Sequence, residues 1–260
     1  MERRESFNSV ARQYGQARPG YPPALAEDLL RLANLPEAAR ILEVGCGAGQ
    51  ATELIANRGF QVTCLDIGPA LIAEARARCG NDPQIEFILS TFEAWTPPVG
   101  LAAFEMILAA RCWHWIDPTV RFAKAAGLLQ PHGCLALLAG SPRHRGTDFS
   151  AAMQEIYRRT APELADRTRL KGHLAWQVAD GLAHFGRVEE KEYPCSQVFT
   201  AAQYVAVLGT FSDHIVLPPD QRKALYAGIV ELIERDYGGQ VLEEYVCTLT
   251  LFREPRRETK

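Results

Sequence analysis

Apolar residues in this chain come in short runs that stop at glycine, proline or an acid, and that punctuation predicts the elements. Ile41 to Val44 reads as a buried strand running into Gly45, and residues 48–58 read as the helix that follows, stopped at Gly59. Residues 60–66 alternate into a second strand ending at Asp66, and Pro69 opens a helix that runs to Cys79. Two more strands are expected over residues 85–89 and 104–110. Residues 125–139 read as the end of a helix, a Pro131-His132-Gly133 turn and a fifth strand. Phe149, Met153, Ile156 and Tyr157 then recur at helical spacing. A strand near 188–194, a helix near 200–208, a turn at 210–214, a helix near 220–236 and a last strand near 245–252 complete the order. Strands alternating with helices and closed by a late strand pair predict an α/β fold, a doubly wound seven-stranded and mostly parallel sheet with a helical cap.

Size and charge narrow this without changing it. A chain of 260 residues suits one sizeable core, so a single domain over 1–260 is expected, with residues 141–184 folding as a helical cap insertion. A net charge of −3 and a pI near 6.1 argue against a broad phosphate-binding surface, and no nucleic-acid partner is expected. Arg143, His144 and Arg145 make a local basic patch, more often a solvated loop than a binding face. No apolar run approaches the roughly eighteen residues of a membrane span, and the amino end lacks a basic start before an apolar stretch; a soluble, cytoplasmic protein without a membrane partner is expected. The seven cysteines include strand positions such as Cys64 and Cys134, and read as reduced core thiols. No H-x-x-x-H or C-x-x-C spacing occurs, so no metal is expected. Oligomeric state is not legible.

The chemistry concentrates at Glu43, Gly45, Gly47 and Gly49, an acid on a strand followed by alternate glycines. Glycine takes positive φ and lets a ligand lie directly on the backbone. Gln50 stands where a dinucleotide fingerprint needs its third glycine, and the lysine and hydroxyl of a phosphate loop are missing. A tight β–α turn that merely needs glycines is the plain alternative. Asp66 follows Glu43 by 23 positions and ends the second strand, where a carboxylate can accept from both hydroxyls of a ribose. It could equally cap the helix at Pro69.

The E-x-G-x-G-x-G run resembles the first motif of the class I S-adenosylmethionine-dependent methyltransferases, which share a Rossmann-like sheet. A His114-Trp115 pair beyond the fourth strand, a Leu129-x-Pro131-x-Gly133 run, and Tyr14, Arg18, Pro19, Tyr21 and Pro22 near the amino end are similar to the trans-aconitate methyltransferase-like small-molecule subgroup. The resemblance implies S-adenosylmethionine as cofactor and residues 1–24 as a lid. It implies that Gly45, Cys46, Gly47 and Gly49 pass the methionine part, Glu43 orders the loop and Asp66 takes the ribose. Ile67 and Phe92 would sandwich adenine with Thr91 at its edge, and Ala110 and Arg111 would border the methyl. For Phe92, ordinary core packing is as good a reading as stacking. Arg111 stands where the subgroup usually has glutamine, and a fixed cation there suits an anionic acceptor. Tyr14, Tyr21, His114 and Trp115 would face the acceptor, and the 210–214 turn, with Thr210 and Ser212, would help choose it.

The expected activity is methyl transfer to a small molecule, a carboxylate or a hydroxyl, by in-line displacement, with much of the catalysis coming from positioning. A carboxylate acceptor needs no base; a hydroxyl would, and His114 is then the candidate, with Tyr14 and Arg111 beside it. Two alternatives remain, a cofactor-binding protein without transfer activity and a nicotinamide-dependent reductase.

Overall fold

The computed structural model describes residues 3–80, 82–99, 103–142, 147–165 and 173–256. The basic patch at Arg143, His144 and Arg145 lies outside the described residues, as does part of the expected cap insertion. Among the described residues seven strands form one mixed sheet: β1 (Arg40–Val44), β2 (Gln61–Asp66), β3 (Ile85–Leu89), β4 (Phe104–Ala110), β5 (Leu129–Pro142), β6 (Phe185–Thr200) and β7 (Gln240–Pro255). Their order across the sheet is β3-β2-β1-β4-β5-β7-β6. The pairs β1–β2, β1–β4, β2–β3 and β4–β5 are all parallel. The carboxyl ends of β1 to β4 therefore share one edge, and the order reverses between β1 and β4, where open α/β sheets leave a crevice for ligands.

The chain divides into two compact units. The sheet unit comprises Gly20–Gly140, Gly172–Tyr193 and Cys247–Lys260. Its core joins Leu42, Val44 and Ile107 of the central strands to Phe104, Trp113, Phe122, Phe185 and Phe252. The second unit comprises Met1–Pro19, Ser141–Lys171 and Pro194–Val246. There α1 (Ala11–Ala17) is followed by α5 (Asp148–Thr160), α6 (Pro162–Ala165), α8 (Ala201–Leu208), α9 (Ser212–Ile215) and α10 (Pro219–Asp236). Phe149, Met153 and Ile156 of α5 pack in one apolar cluster with Leu225, Ile229, Leu232 and Ile233 of α10, the stripe that the helical spacing marks. Helices α2 (Pro23–Ala33), α3 (Pro69–Cys79), α4 (Arg121–Leu128) and α7 (His173–Leu182) belong to the sheet unit.

Local chemistry explains most boundaries. Pro69 opens α3 with its fixed φ, and α8 starts at a capping box in which Thr200 accepts from the Gln203 N–H. Three segments depart from expectation. Residues 48–58 form turns around a single 3₁₀ turn, Thr52–Leu54, and left-handed residues, Gly49 at φ +84° and Asn57 at φ +56°, bound the stretch at either end, where an α-helix cannot continue. The Pro131-His132-Gly133 segment is a bulge inside β5: register passes from Phe104↔Leu129 to Met106↔Cys134, so the extra β5 residues loop out. A Cβ on Gly133 would sit 3.0 Å from the Phe104 carbonyl oxygen and 3.1 Å from those of Gln130 and Glu105, so any side chain there would have to push back main-chain carbonyls by a few tenths of an ångström. Strand β6 is longer than its apolar signal because it is the sheet's edge, where Glu189, Glu190, Lys191 and Glu192 give charge instead of alternation.

Candidate active site

The glycine loop leaves β1 at Val44. Gly45, Gly47 and Gly49 all have positive φ, at +64°, +56° and +84°. A Cβ on Gly45 would stand 2.8 Å from both Cβ and Sγ of Cys112, whose thiol donates to the Val44 carbonyl at 2.8 Å, so the exit of β4 fills the space beside the loop. A Cβ on Gly49 would meet the Ala75 backbone of α3 at 3.0 Å. The Cys46 N–H donates to the Leu65 carbonyl at 3.0 Å, tying the loop to β2. Arg78 of α3 donates from Nε to the Ala48 carbonyl at 2.9 Å and pairs with Glu53 at 3.3 Å. No motif marked Arg78, because its partner lies 30 positions away.

Glu43 is fully buried and opposite Cys64 in the β1–β2 register; its Oε2 accepts from the Cys64 thiol at 3.6 Å. Burial drives its carboxyl up to about 7; Thr52 and Cys64 oppose that shift and the charge of Asp66 adds to it. Cys46, Cys64 and Cys79 are buried free thiols around this acid, and burial holds Cys79 up at about 12.

Asp66 ends β2 with only 7% of its surface exposed. Its Oδ2 accepts from the Gly47 N–H at 2.8 Å and its Oδ1 from the Gly68 N–H at 2.8 Å. The carboxylate thus links the glycine loop to the start of α3. The N-cap of that helix is Gly68, with no side-chain cap bond. Burial raises the Asp66 carboxyl, against the pull of the Gly68, Gly47 and Ile67 N–H groups. Each oxygen retains a further lone pair. Ile67 next to it is half-buried. The Ser90 N–H donates to the Asp66 carbonyl at 2.9 Å, which brings the end of β3 alongside. Thr91 is half-buried there, but the Phe92 side chain is 3% exposed and its ring packs against Trp113, centroids 6.0 Å apart. Of the two readings of Phe92, the structure supports core packing.

At the end of β4, Ala110 is half-buried and Arg111 has φ +58°, a left-handed conformation for a bulky residue. Its N–H donates to the Leu138 carbonyl at 2.8 Å, and its guanidinium lies 5.0 Å from the centroid of the Tyr21 ring. A Cβ on Gly140 would touch the guanidinium at 3.4 Å. The 3₁₀ turn Trp113–Trp115 buries Trp113 in the core and leaves His114 exposed, its ring 4.8 Å from that of Trp115.

Tyr14 falls in the second unit, as do Thr210 and Ser212. There Arg18 lies 5.2 Å from the Tyr14 ring and 4.1 Å from the Phe211 ring, and donates to the Thr210 carbonyl at 3.0 Å. Gln13 donates to the Ala206 carbonyl at 2.9 Å, so the amino-terminal segment docks on the end of α8 and the 210–214 turn. In that turn His214 is buried, with its Nε2 at 3.1 Å from the Tyr157 hydroxyl.

A bare glycine backbone, a carboxylate at the tip of β2 and a polar turn after β3 fit a cofactor that carries an amino acid, a ribose and a base. The comparisons agree. A methyltransferase domain model matches residues 41–133. A Mycobacterium tuberculosis protein named as an uncharacterised methyltransferase is 32% identical over 165 residues, 64% of either chain. A trans-aconitate 2-methyltransferase of Variovorax paradoxus is 36% identical over 125 residues, covering 47% of this chain and 46% of that one. Over this part the chain is similar to the S-adenosylmethionine-dependent methyltransferases. S-adenosylmethionine is the cofactor to which this similarity points. The chain spans about 64% of the mycobacterial relative's length and about half of the aconitate enzyme's. A solved phosphoethanolamine N-methyltransferase 2 of Haemonchus contortus, in complex with S-adenosyl-L-methionine, shares the fold at TM-score 0.54 and 15% identity, over 96% of this chain and 57% of that one. Among the described residues no helix is long and apolar enough to cross a membrane, and no group of three or more metal-binding side chains forms.

Proposed function

We propose that this methyltransferase moves the methyl group of S-adenosylmethionine to a small-molecule acceptor, a carboxylate or a hydroxyl, by in-line displacement. One observation carries the reading: four parallel strand ends bring the glycine loop, Asp66, the Thr91 turn and Arg111 to one edge of the sheet. When bound, the cofactor supplies an electrophilic methyl on a sulfonium. The chain's own residues then have to hold and orient the reactants. Gly45, Gly47 and Gly49 admit the methionine part against bare backbone, with Glu43 and Cys46 fixing the loop. Asp66 accepts from the ribose hydroxyls on the lone pairs that Gly47 and Gly68 leave. Ile67 covers one face of the base, while Thr91 and the Phe92 main chain meet its edge.

On the acceptor side, Ala110 and Arg111 border the methyl. The Arg111 guanidinium, steadied on the Tyr21 ring, supports an anionic acceptor, since a guanidinium forks onto a carboxylate with two parallel bonds. His114, exposed beside Trp115, is the base if the acceptor is a hydroxyl. Calorimetric titration with S-adenosylhomocysteine and with NADH tests the cofactor. One-site binding of the first and none of the second is expected; NADH binding would return the reading to a reductase. Turnover against a panel of small carboxylates and phenols then tests the transfer, and binding without turnover on the whole panel would favour a binding protein.

A further inference from the structure

Lys124 sits half-buried on α4, in a segment no motif marked. Its ammonium donates to three main-chain carbonyls of one turn: Phe92 at 2.6 Å, Glu93 at 3.0 Å and Trp95 at 2.6 Å. Those are all the donors an ammonium has. The same Nζ lies 5.1 Å from the centroid of the Phe92 ring. The turn is also closed from within. Thr91 Oγ1 accepts from the Ala94 N–H at 3.0 Å, and the Thr91 carbonyl accepts from the Trp95 N–H at 3.0 Å and from the Ser90 hydroxyl at 3.1 Å. Glu93 reaches forward, its Oε1 accepting from the Asp117 N–H at 3.2 Å.

Peptide planarity fixes what this leaves for a ligand. The Thr91 carbonyl and the Phe92 N–H belong to one trans peptide and point in opposite directions. With the carbonyl held inside the turn, the Phe92 N–H points out of it. The Phe92 ring is in the core and its carbonyl is taken by Lys124, so the outward amide and the half-buried Thr91 are what the turn offers to a base.

We propose that Lys124 is a positioning residue for the cofactor's base: its ammonium gathers the Phe92, Glu93 and Trp95 carbonyls and so holds the Phe92 N–H where it donates to a ring nitrogen of adenine. This rests on reading the turn after β3 as base-facing. Adenine accepts at that ring nitrogen, whereas hypoxanthine carries a proton there and cannot. Base discrimination therefore reports the amide's aim, and a residue that merely supports the fold would not alter it.

The test is calorimetry on the full chain with S-adenosylhomocysteine and S-inosylhomocysteine, for the wild type, Lys124→Met, Lys124→Gln and Lys124→Arg. The wild type should prefer the adenine compound. Lys124→Met should weaken that compound on the order of tenfold and the inosine compound far less, so the preference collapses. Lys124→Arg, which restores donors, should recover part of it. A preference unchanged in Lys124→Met, whatever happens to its melting temperature, overturns the proposal and leaves the base-facing reading standing. No preference in the wild type removes that reading, and the proposal with it. If Lys124→Met does not fold, Lys124→Gln carries the comparison, with an unchanged preference again overturning the role.

Discussion

Glu43→Gln isolates a pH dependence written into the core of the sheet. The Glu43 carboxyl is fully buried and its pKa stands at about 7, against an ordinary value of 4.5. Between those values the folded carboxyl keeps its proton while the unfolded one has released it, so the folded state binds more protons and stability falls as pH rises. Below the unfolded value there is no penalty; above the folded value it is complete. The displacement from 4.5 to about 7 corresponds to about 3 kcal/mol in full, of which about 2 to 3 kcal/mol develops between about pH 5 and pH 8. That is a sizeable part of the stability of an ordinary domain. Asp66 is displaced upward too and slopes the same way, so the wild-type profile alone would mix the two. The glutamine amide of the variant cannot titrate, and subtracting the profiles leaves the Glu43 contribution together with its coupling to Asp66. Urea unfolding followed by circular dichroism, in half-unit pH steps, should show the variant gaining on the wild type by about 2 to 3 kcal/mol across that range. A difference that stays flat with pH would mean the carboxyl titrates normally and that the argument from burial is wrong.

Asp66→Ala should weaken S-adenosylhomocysteine binding by calorimetry and, because the Gly47 and Gly68 N–H groups lose their acceptor, also lower stability by about 1 to 3 kcal/mol without unfolding the chain. Full affinity in a folded Asp66→Ala would end the ribose assignment. Gly45→Ala should destabilise by about 1 to 3 kcal/mol in urea unfolding, from its positive φ and the clash with Cys112. Cys112→Ala should rescue only part of that loss, since the Cys112 Cβ is itself at 2.8 Å from the new methyl. Arg111→Gln should raise KM for an anionic acceptor and leave S-adenosylhomocysteine affinity unchanged; equal loss of both would place Arg111 on the cofactor instead.

The parallel half of the sheet was legible because its signals are local. Each of β1, β2 and β4 is an apolar run that ends at a chemically marked residue, Gly45, Asp66 or Arg111, and parallel pairing brings those marks to one edge. Periodicity failed where the backbone itself decides. The segment after the glycine loop has helical composition, yet left-handed Gly49 and Asn57 confine it between them and it forms turns, and φ cannot be read from residue type alone. The Pro131-Gly133 excursion was visible as an interruption, but whether it ended or bulged a strand depended on the β4 carbonyls facing it. Phe92 could have stacked on a base or filled the core, and its 3% exposure beside Trp113, which supports the second, is not visible in the sequence. Lys124 and Arg78 left no trace in the pattern, because each acts on carbonyls about 30 residues away. The displaced titration of Glu43 likewise depends on the whole core around it.

The left-handed backbone at Arg111 has an evolutionary consequence. Glycine or asparagine would occupy that φ of +58° with less strain, typically on the order of 1 kcal/mol less, so selection for thermal stability alone would tend to discard the arginine. The same exchange would remove the cation from the exit of β4. If the acceptor is the anion proposed above, thermal hardiness and preference for it are opposed at this one position, and a heat-selected descendant should drift toward uncharged substrates.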